Sequence, residues 1–269
     1  EGMDSLLKEV VESGKLIATI DLVGSVLNSD ISFICVGTPS KEDGSIDLSQ
    51  ISVVASSIGK ALKEYNGRHV VVVKSTVLPG TAEEVVIPRL EENSGLTIVD
   101  GFGVCVNPEF LREGQAIVDF LDPKNTGIVI GESDIQSGDV LAKLYSGFSG
   151  PVLRTFLRAA EMIKYARNAY LAKDVSFANE IANVCSAFSI DYLDVKKGME
   201  MDSRIGKGSF LSAGLGYGGS CFKKDVSALI AKAENQGVEP KLLKVTEEVN
   251  ELQPSVVLNL AQKALGNLN

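Results

Sequence analysis

Cys221 ends a glycine-rich stretch, Gly214-Leu215-Gly216-Tyr217-Gly218-Gly219-Ser220-Cys221-Phe222-Lys223-Lys224-Asp225, where the chain passes into an apolar-periodic segment, Val226 to Ala233. A thiol at a helix N-terminus feels the positive end of the macrodipole, and Lys223 and Lys224 add cationic charge, so this placement offers a nucleophilic thiolate. Asp225, one turn on, shares that side of the helix. Gly214-x-Gly216-x-x-Gly219 also fits the dinucleotide fingerprint in form. The fingerprint needs a strand before it, and Ser203-Arg204-Ile205-Gly206-Lys207-Gly208 is polar and glycine-broken, so these glycines read as a ligand-hugging or turn-forming loop.

Three further groupings could do chemistry. Lys74-Ser75-Thr76-Val77-Leu78-Pro79-Gly80-Thr81 follows a strand-like run and precedes a helix-like one. That puts its hydroxyls at a carboxyl edge, where open α/β sheets bind ligands; a turn capped by Thr81 is the alternative. In Asn107-Pro108-Glu109-Phe110-Leu111-Arg112-Glu113-Gly114 two carboxylates stand four apart and could share one side of a helical turn, as an acid–base pair or as solvated surface. In Glu161-Met162-Ile163-Lys164-Tyr165-Ala166-Arg167-Asn168, the i, i+4 pair Lys164 and Asn168 could hold an oxyanion or face solvent.

The elements that must position these groups follow from periodicity. The first half alternates β-branched runs with amphipathic stretches, the pattern of parallel βαβ units. We expect a helix over Met3 to Ser13, a strand over Leu16 to Ile20, and then a short helix. Strands follow at Ile31 to Val36, Val70 to Lys74, Val104 to Val106 and Gly127 to Ile130, with a helix from Asp47 to Glu64. From Pro151 to Gly198 no glycine or proline intervenes, which predicts one long helix over about Phe156 to Phe188. Shorter helices are expected near Leu193 to Glu200, over Lys223 to Gln236, and from Lys241 to near Leu265. The fold class is therefore α/β, a partial Rossmann-like doubly wound parallel sheet followed by a long central helix and an all-helical domain, divided into residues 1–150 and 151–269.

With 269 residues, 45% of them hydrophobic and 23% charged, the chain can bury a large core. A net charge of -9 argues against nucleic acid or an anionic membrane as partner. No apolar run reaches membrane-spanning length and the start does not read as a signal peptide, so a cytoplasmic location is expected. The cysteines at 35, 105, 185 and 221 form no C-x-x-C pair and His69 is the single histidine, so no metal site is expected. Cys35, Cys105 and Cys185 read as reduced core residues, and His69 as a structural residue at a strand edge. A serine–histidine–aspartate triad would have to use His69, which leaves lysine, carboxylate, thiol or water to carry protons.

Taken together, Phe33-Ile34-Cys35-Val36-Gly37-Thr38-Pro39, Lys74-Ser75-Thr76, Asn107 to Gly114, Lys164-x-x-x-Asn168 and Gly218 to Asp225 resemble, in order and separation, the nucleotide-sugar 6-dehydrogenases, the family of UDP-glucose and GDP-mannose dehydrogenases. The resemblance implies two successive oxidations of a sugar-nucleotide C6 hydroxyl by NAD, in polysaccharide biosynthesis. By the family pattern Cys221 is the covalent nucleophile, Lys164 and Asn168 stabilise the oxyanion, and Asp225 orients groups beside them. Glu113, with Thr76 holding a water, is the hydrolytic base, and Glu109 an acid–base or water-positioning residue. Val36, Gly37, Thr38, Pro39, Ser75, Thr76, Glu113 and Lys224 are the implied cofactor contacts. Phe110, Leu111, Arg112, Lys164, Asn168, Arg204, Ser212, Gly214, Gly216, Tyr217 and Gly218 are the implied substrate contacts, with Arg204 reaching in from a neighbouring subunit of a homodimer built along the long helix.

Relatives begin with a strand and G-x-G-x-x-G turn and end with a further nucleotide-binding domain. Neither is found in this sequence, which reads as the central portion of such an enzyme. Thr126 to Glu132 and Arg68 to Thr81 look closer to GDP-mannose enzymes, whereas Arg204-Ile205 and Ala213 to Tyr217 look closer to UDP-glucose enzymes. The substrate loop weighs more, which favours UDP-glucose. Two-electron β-hydroxyacid dehydrogenases share the Lys-x-x-x-Asn pair without a thiol, and a noncatalytic dimerisation remnant is the reading outside enzymes.

Overall fold

A computed structural model describes residues 2–122, 127–206, 210–219 and 221–266. Thr126, Lys207, Gly208 and Ser220, which the motifs above include, lie outside them. Five strands form one mixed sheet in chain order: β1 (Ile31–Ile34), β2 (His69–Val73), β3 (Phe102–Val106), β4 (Ile128–Glu132) and β5 (Val152–Phe156). β2 and β3 are buried at every position, which is why both read as nearly unbroken apolar runs. Helices cover both faces. α3 (Ser49–Leu62) and α4 (Ile87–Ser94) pack on the side of Ile34, Val71, Val73 and Val104, while α6 (Ile135–Leu144) packs on the side of Val70, Val72, Cys105 and Ile130.

The sheet departs from the all-parallel expectation at β4, which pairs antiparallel with β3 through Cys105↔Glu132 and Val106↔Gly131. The connection explains the reversal. After β3 the chain runs along the sheet's carboxyl edge through residues 107–115 and the short helix α5 (Ala116–Leu121), so it re-enters from that same edge. Leu16 to Ile20, expected as a strand, is irregular and exposed between α1 (Met3–Glu12) and α2 (Leu22–Leu27). An apolar run forms a strand only where a ladder partner takes up its backbone groups, and among the described residues it has none. β5 was not expected. It is an exposed strand past residue 150, held to β4 by its ladder and by Arg154 paired with Glu132 at 2.8 Å.

β5 runs directly into α7 (Leu157–Ala187), the long helix, which is followed by α8 (Tyr192–Glu200), α9 (Phe222–Asn235) and α10 (Lys241–Leu265). α7 lies close on β4 because Gly131 has no side chain; a Cβ there would come within 2.6 Å of Ala160 Cβ. Where the sheet meets the helices, Ile46 and Leu48 from the β1–α3 loop, Leu78 after β2, Tyr165 of α7, and Ala228 and Leu229 of α9 form a small shared core. Glu161 of α7 is also buried there. Its oxygens accept from Gly80 N at 2.6 Å and Ala82 N at 2.8 Å, at the start of a π-helical turn (Ala82–Val86) that continues into α4. Thr81, the expected cap, instead donates its hydroxyl to Leu78 O.

His69 is buried at the head of β2, with Nε2 2.8 Å from Ser32 Oγ and its ring edge-on to Tyr65. Burial pushes its pKa down, consistent with a neutral structural residue. Cys105 and Cys185 are core residues, and burial pushes the Cys105 thiol up to about 12. Cys35 corrects the expectation. It is exposed, because β1 stops at Ile34 and the chain leaves the core there.

Burial raises the Glu161 carboxyl to about 7, against the pull of its two amide donors. A carboxyl raised in the folded state binds a proton that the unfolded state has released, so stability falls as pH climbs from the ordinary carboxyl range towards 7 and is flat above. Denaturant unfolding across this range is expected to show wild type losing roughly 2 to 3 kcal/mol relative to Glu161→Gln. Parallel pH profiles for the two proteins would show that Glu161 does not titrate there. Tyr165 is fully buried and its hydroxyl has no hydrogen-bond partner among the described residues, so Tyr165→Phe should raise unfolding stability by about 1 kcal/mol. A loss of stability would reveal a partner.

Candidate active site

A cleft of about 460 Å³ opens between the sheet's carboxyl edge and the helices. α7 supplies one wall through Lys164, Arg167, Asn168 and Leu171, a single stripe at helical spacing. The strap leaving β3 supplies the second wall, Glu109 to Glu113, and Phe210, Gly218, Gly219, Cys221 and Phe222 close the third. The volume lies within the range of small-molecule sites.

Cys221 is the N-cap residue of α9, as its position after the glycine run predicted, and it is exposed in the cleft. Its carbonyl accepts from Asp225 N at 2.9 Å, which starts the helix. Asp225 is buried beneath it and accepts from Asn168 Nδ2 and Lys224 Nζ, each at 2.6 Å. Asn168 is therefore fixed by a carboxylate on the neighbouring helix. Lys164, also buried, donates to Glu109 O at 2.8 Å and to Glu109 Oε1 at 2.9 Å, while Glu109 Oε2 accepts from Leu111 N at 2.7 Å. One cation thus sets both the backbone and the side chain of the strap.

The strap's other end is fixed in the sheet. Asn107 is buried; its Oδ1 accepts from Lys74 Nζ at 2.8 Å and from the Tyr145 hydroxyl at 2.6 Å, and its Nδ2 donates to Val129 O at 2.8 Å. Burial lowers the Lys74 pKa, the nearby Cys35 and Glu109 raise it, and Lys164 lowers it further. Arg112 lines the cleft but spends its fork on Asp119, donating from Nη2 at 2.6 Å and Nε at 3.0 Å. The hydrogen bonds from Arg112 hold the Asp119 carboxyl below the usual range. Phe110 lies under two cations, with Lys164 Nζ 5.7 Å and Arg167 Cζ 3.7 Å from its ring centroid.

The expected cofactor residues fall at the adjoining carboxyl edge of β1 and β2. The Thr38 hydroxyl donates to Thr76 O at 2.8 Å and the Ser75 hydroxyl to Val36 O at 2.6 Å, so the two loops are laced together. Gly37 and Pro39 are exposed beside them, and a Cβ on Gly37 would meet only the end of the Gln50 side chain, at 4.0 Å. Two laced loops beyond parallel strand ends, with glycine leaving room for close approach, fit a dinucleotide. Lys224 faces Asp225, and Glu113 is exposed on the cleft wall.

Several expected substrate contacts are not brought to the cleft. Arg204, expected to serve a neighbouring subunit's cleft, is exposed and pairs with Asp202 at 2.6 Å. Ser212 accepts from Lys196 Nζ at 3.1 Å. Gly214 is tied to Asn179 and Gln253, and Tyr217 N donates to Asn250 Oδ1 at 2.7 Å. Gly216, at φ 93°, passes so close to Asn250 that a Cβ would overlap its Oδ1, so the absence of a side chain lets the loop pack on the protein's own α10. Leu171, Phe210 and Gly219 line the cleft without having been singled out. The α7 spacing from Lys164 was the signal that could have marked Arg167 and Leu171.

Residues 1–149 match the NAD binding domain of the UDP-glucose/GDP-mannose dehydrogenase family, and residues 158–252 match its central domain. The chain is 44% identical over 265 residues to a UDP-glucose 6-dehydrogenase of Haloferax volcanii, covering 96% of this chain and 61% of the relative. Among solved structures it resembles a UDP-glucose dehydrogenase from the archaeon Pyrobaculum islandicum, with a TM-score of 0.92, 39% identity, and coverage of 100% of this chain and 61% of that one. It also resembles a GDP-mannose dehydrogenase from Pseudomonas aeruginosa, described as a ternary complex, with a TM-score of 0.74, 42% identity, and coverage of 97% and 60%. The chain thus spans about three fifths of the length of these relatives. Among the described residues no helix is long and apolar enough to cross a membrane, and no histidine, cysteine and carboxylate cluster could hold a metal. On this combination of sequence match, fold and cleft, the chain belongs to the UDP-glucose/GDP-mannose dehydrogenase family.

Proposed function

We propose that this chain carries the catalytic centre of a nucleotide-sugar 6-dehydrogenase that oxidises UDP-glucose to UDP-glucuronate. The observation that carries this reading is one cleft in which a thiol at a helix N-cap position, Cys221, meets Lys164 and Asn168 of α7 and the carboxylates Glu109 and Glu113. Residues 1–150 form the cofactor portion, where Val36, Gly37, Thr38, Pro39, Ser75, Thr76, Glu113 and Lys224 would hold NAD. Residues 151–269 form the catalytic and dimerisation portion. NAD, when bound, supplies the hydride acceptor for both oxidations.

The side chains of this protein do the rest. Glu109, salt-bridged to Lys164, handles the proton of the C6 hydroxyl or positions a water. The Cys221 thiolate adds to the C6 aldehyde to give a thiohemiacetal, and oxidation of that adduct leaves a thioester. An ammonium has three N–H donors and an amide nitrogen two, so Lys164 and Asn168 can serve an oxyanion while keeping Glu109 and Asp225. Glu113, with Thr76, activates the water that splits the thioester into a carboxylate and the free thiolate. UDP-glucose is favoured over GDP-mannose by the likeness of the Arg204-Ile205 and Ala213 to Tyr217 segments to UDP-glucose enzymes. The two-electron β-hydroxyacid reading leaves Cys221 in the cleft without a task. A homodimer along α7 is supported by Tyr170, Phe177 and Val184, which are exposed on that helix.

Cys221→Ser is expected to lower acid formation from UDP-glucose and NAD by at least about 10³-fold, with product stopping at the aldehyde level. Undiminished UDP-glucuronate, followed by mass spectrometry, sinks the thioester route. Alkylation of Cys221 by iodoacetamide tests the substrate independently of turnover: UDP-glucose should slow it, and GDP-mannose should do so at least tenfold less effectively. The reverse order would reassign the substrate.

A further inference from the structure

We propose that Arg167 is a substrate-binding residue of this cleft, taking the diphosphate of the nucleotide sugar through a guanidinium stacked on Phe110; the inference rests on the nucleotide-sugar reading above. Arg167 lies on α7 between Lys164 and Asn168 in sequence and lines the same cleft. The guanidinium carbon stands 3.7 Å from the Phe110 centroid, so one face is covered by the ring and its donors point in its own plane. That geometry suits bidentate acceptors such as phosphate oxygens.

Position supports the assignment. Lys164 and Cys221 mark where the sugar's C6 must sit. In a hexose 1-diphosphate, C6 and the nearer phosphorus are five covalent bonds apart, roughly 6 Å across the ring. Lys164 Nζ and Arg167 Cζ both lie against Phe110, 5.7 and 3.7 Å from its centroid, so the guanidinium stands beside the place assigned to C6. Partial burial of Arg167 disfavours its charge and lowers its pKa, so a doubly charged ligand would recover part of that cost.

Protection of Cys221 against iodoacetamide by UDP-glucose, UDP and UDP-glucuronate tests this in wild type, Arg167→Met and Arg167→Lys. In Arg167→Met the half-protecting concentration of UDP-glucose and of UDP should rise ten- to a hundredfold, with Arg167→Lys recovering part of the loss. The alkylation rate without ligand should be unchanged, showing that the cleft itself is intact. Equal protection of wild type and Arg167→Met by UDP-glucose overturns the proposal, as does an altered ligand-free rate with no change in protection. A loss confined to UDP-glucuronate also overturns it, by placing Arg167 at the new carboxylate. If UDP-glucose fails to protect the wild type, the nucleotide-sugar reading falls first and this assignment with it.

Discussion

A polar side chain buried away from water must find a partner or lose roughly 1 to 3 kcal/mol, and α7 buries a whole series of them. Glu161, Lys164, Asn168, Ser176 and Asn179 are all buried on this one helix. Each finds a partner in a different part of the chain, although Asn179 Nδ2 has none among the described residues. Glu161 takes the amides at the start of the π-helical turn after β2, Lys164 takes the strap after β3, and Asn168 takes Asp225 of α9. Ser176 donates to Thr246 O of α10, and Asn179 accepts from Gly214 N in the glycine loop. The cleft exists because these obligations draw five segments onto one rod.

The same pairings set the site's electrostatics. Lys164 faces Glu109, and Lys224 and Asn168 share Asp225, so each charge at the back of the cleft is matched within hydrogen-bond distance. Removing one member of a buried pair is far more damaging than the pair is worth, on the order of 3 to 5 kcal/mol, because the other charge is left desolvated. The cleft's geometry is therefore defended by stability. A lysine released from Glu109 would lose its own partner as well as the strap's position.

The long helix, β2 and β3 were legible in the sequence, because composition alone decides them: no glycine or proline between 151 and 198, and uninterrupted valines at 70–73. Cys221 at a helix start was legible for the same local reason. What could not be read is pairing across distance. Glu161 meets Gly80 from 81 residues away, and nothing near either residue announces it. The formal fingerprint in the glycine loop is preceded by turns rather than a strand at residues 203–205, and nothing near Gly216 announces that it packs against Asn250, 34 positions on. β5 was hidden because it ends where α7 begins, so helix-favouring residues blur its boundary, and Leu16 to Ile20 shows the converse error, apolar content without a neighbour to pair with.

The strap from Asn107 to Glu113 is where the two halves of the fold meet in function. Its first residue is held in the sheet by Lys74, Tyr145 and Val129, and its third by Lys164 on α7. Two lysines, one from each half, therefore grip a peptide segment that is three residues long, and Phe110 follows immediately as the platform for Lys164 and Arg167. Any shift of α7 relative to the sheet must change one grip or the other. The carboxylates of the strap can keep their place in the cleft that Cys221 also lines only while both hold, so the sheet shapes that cleft through Asn107 as much as α7 does through Lys164.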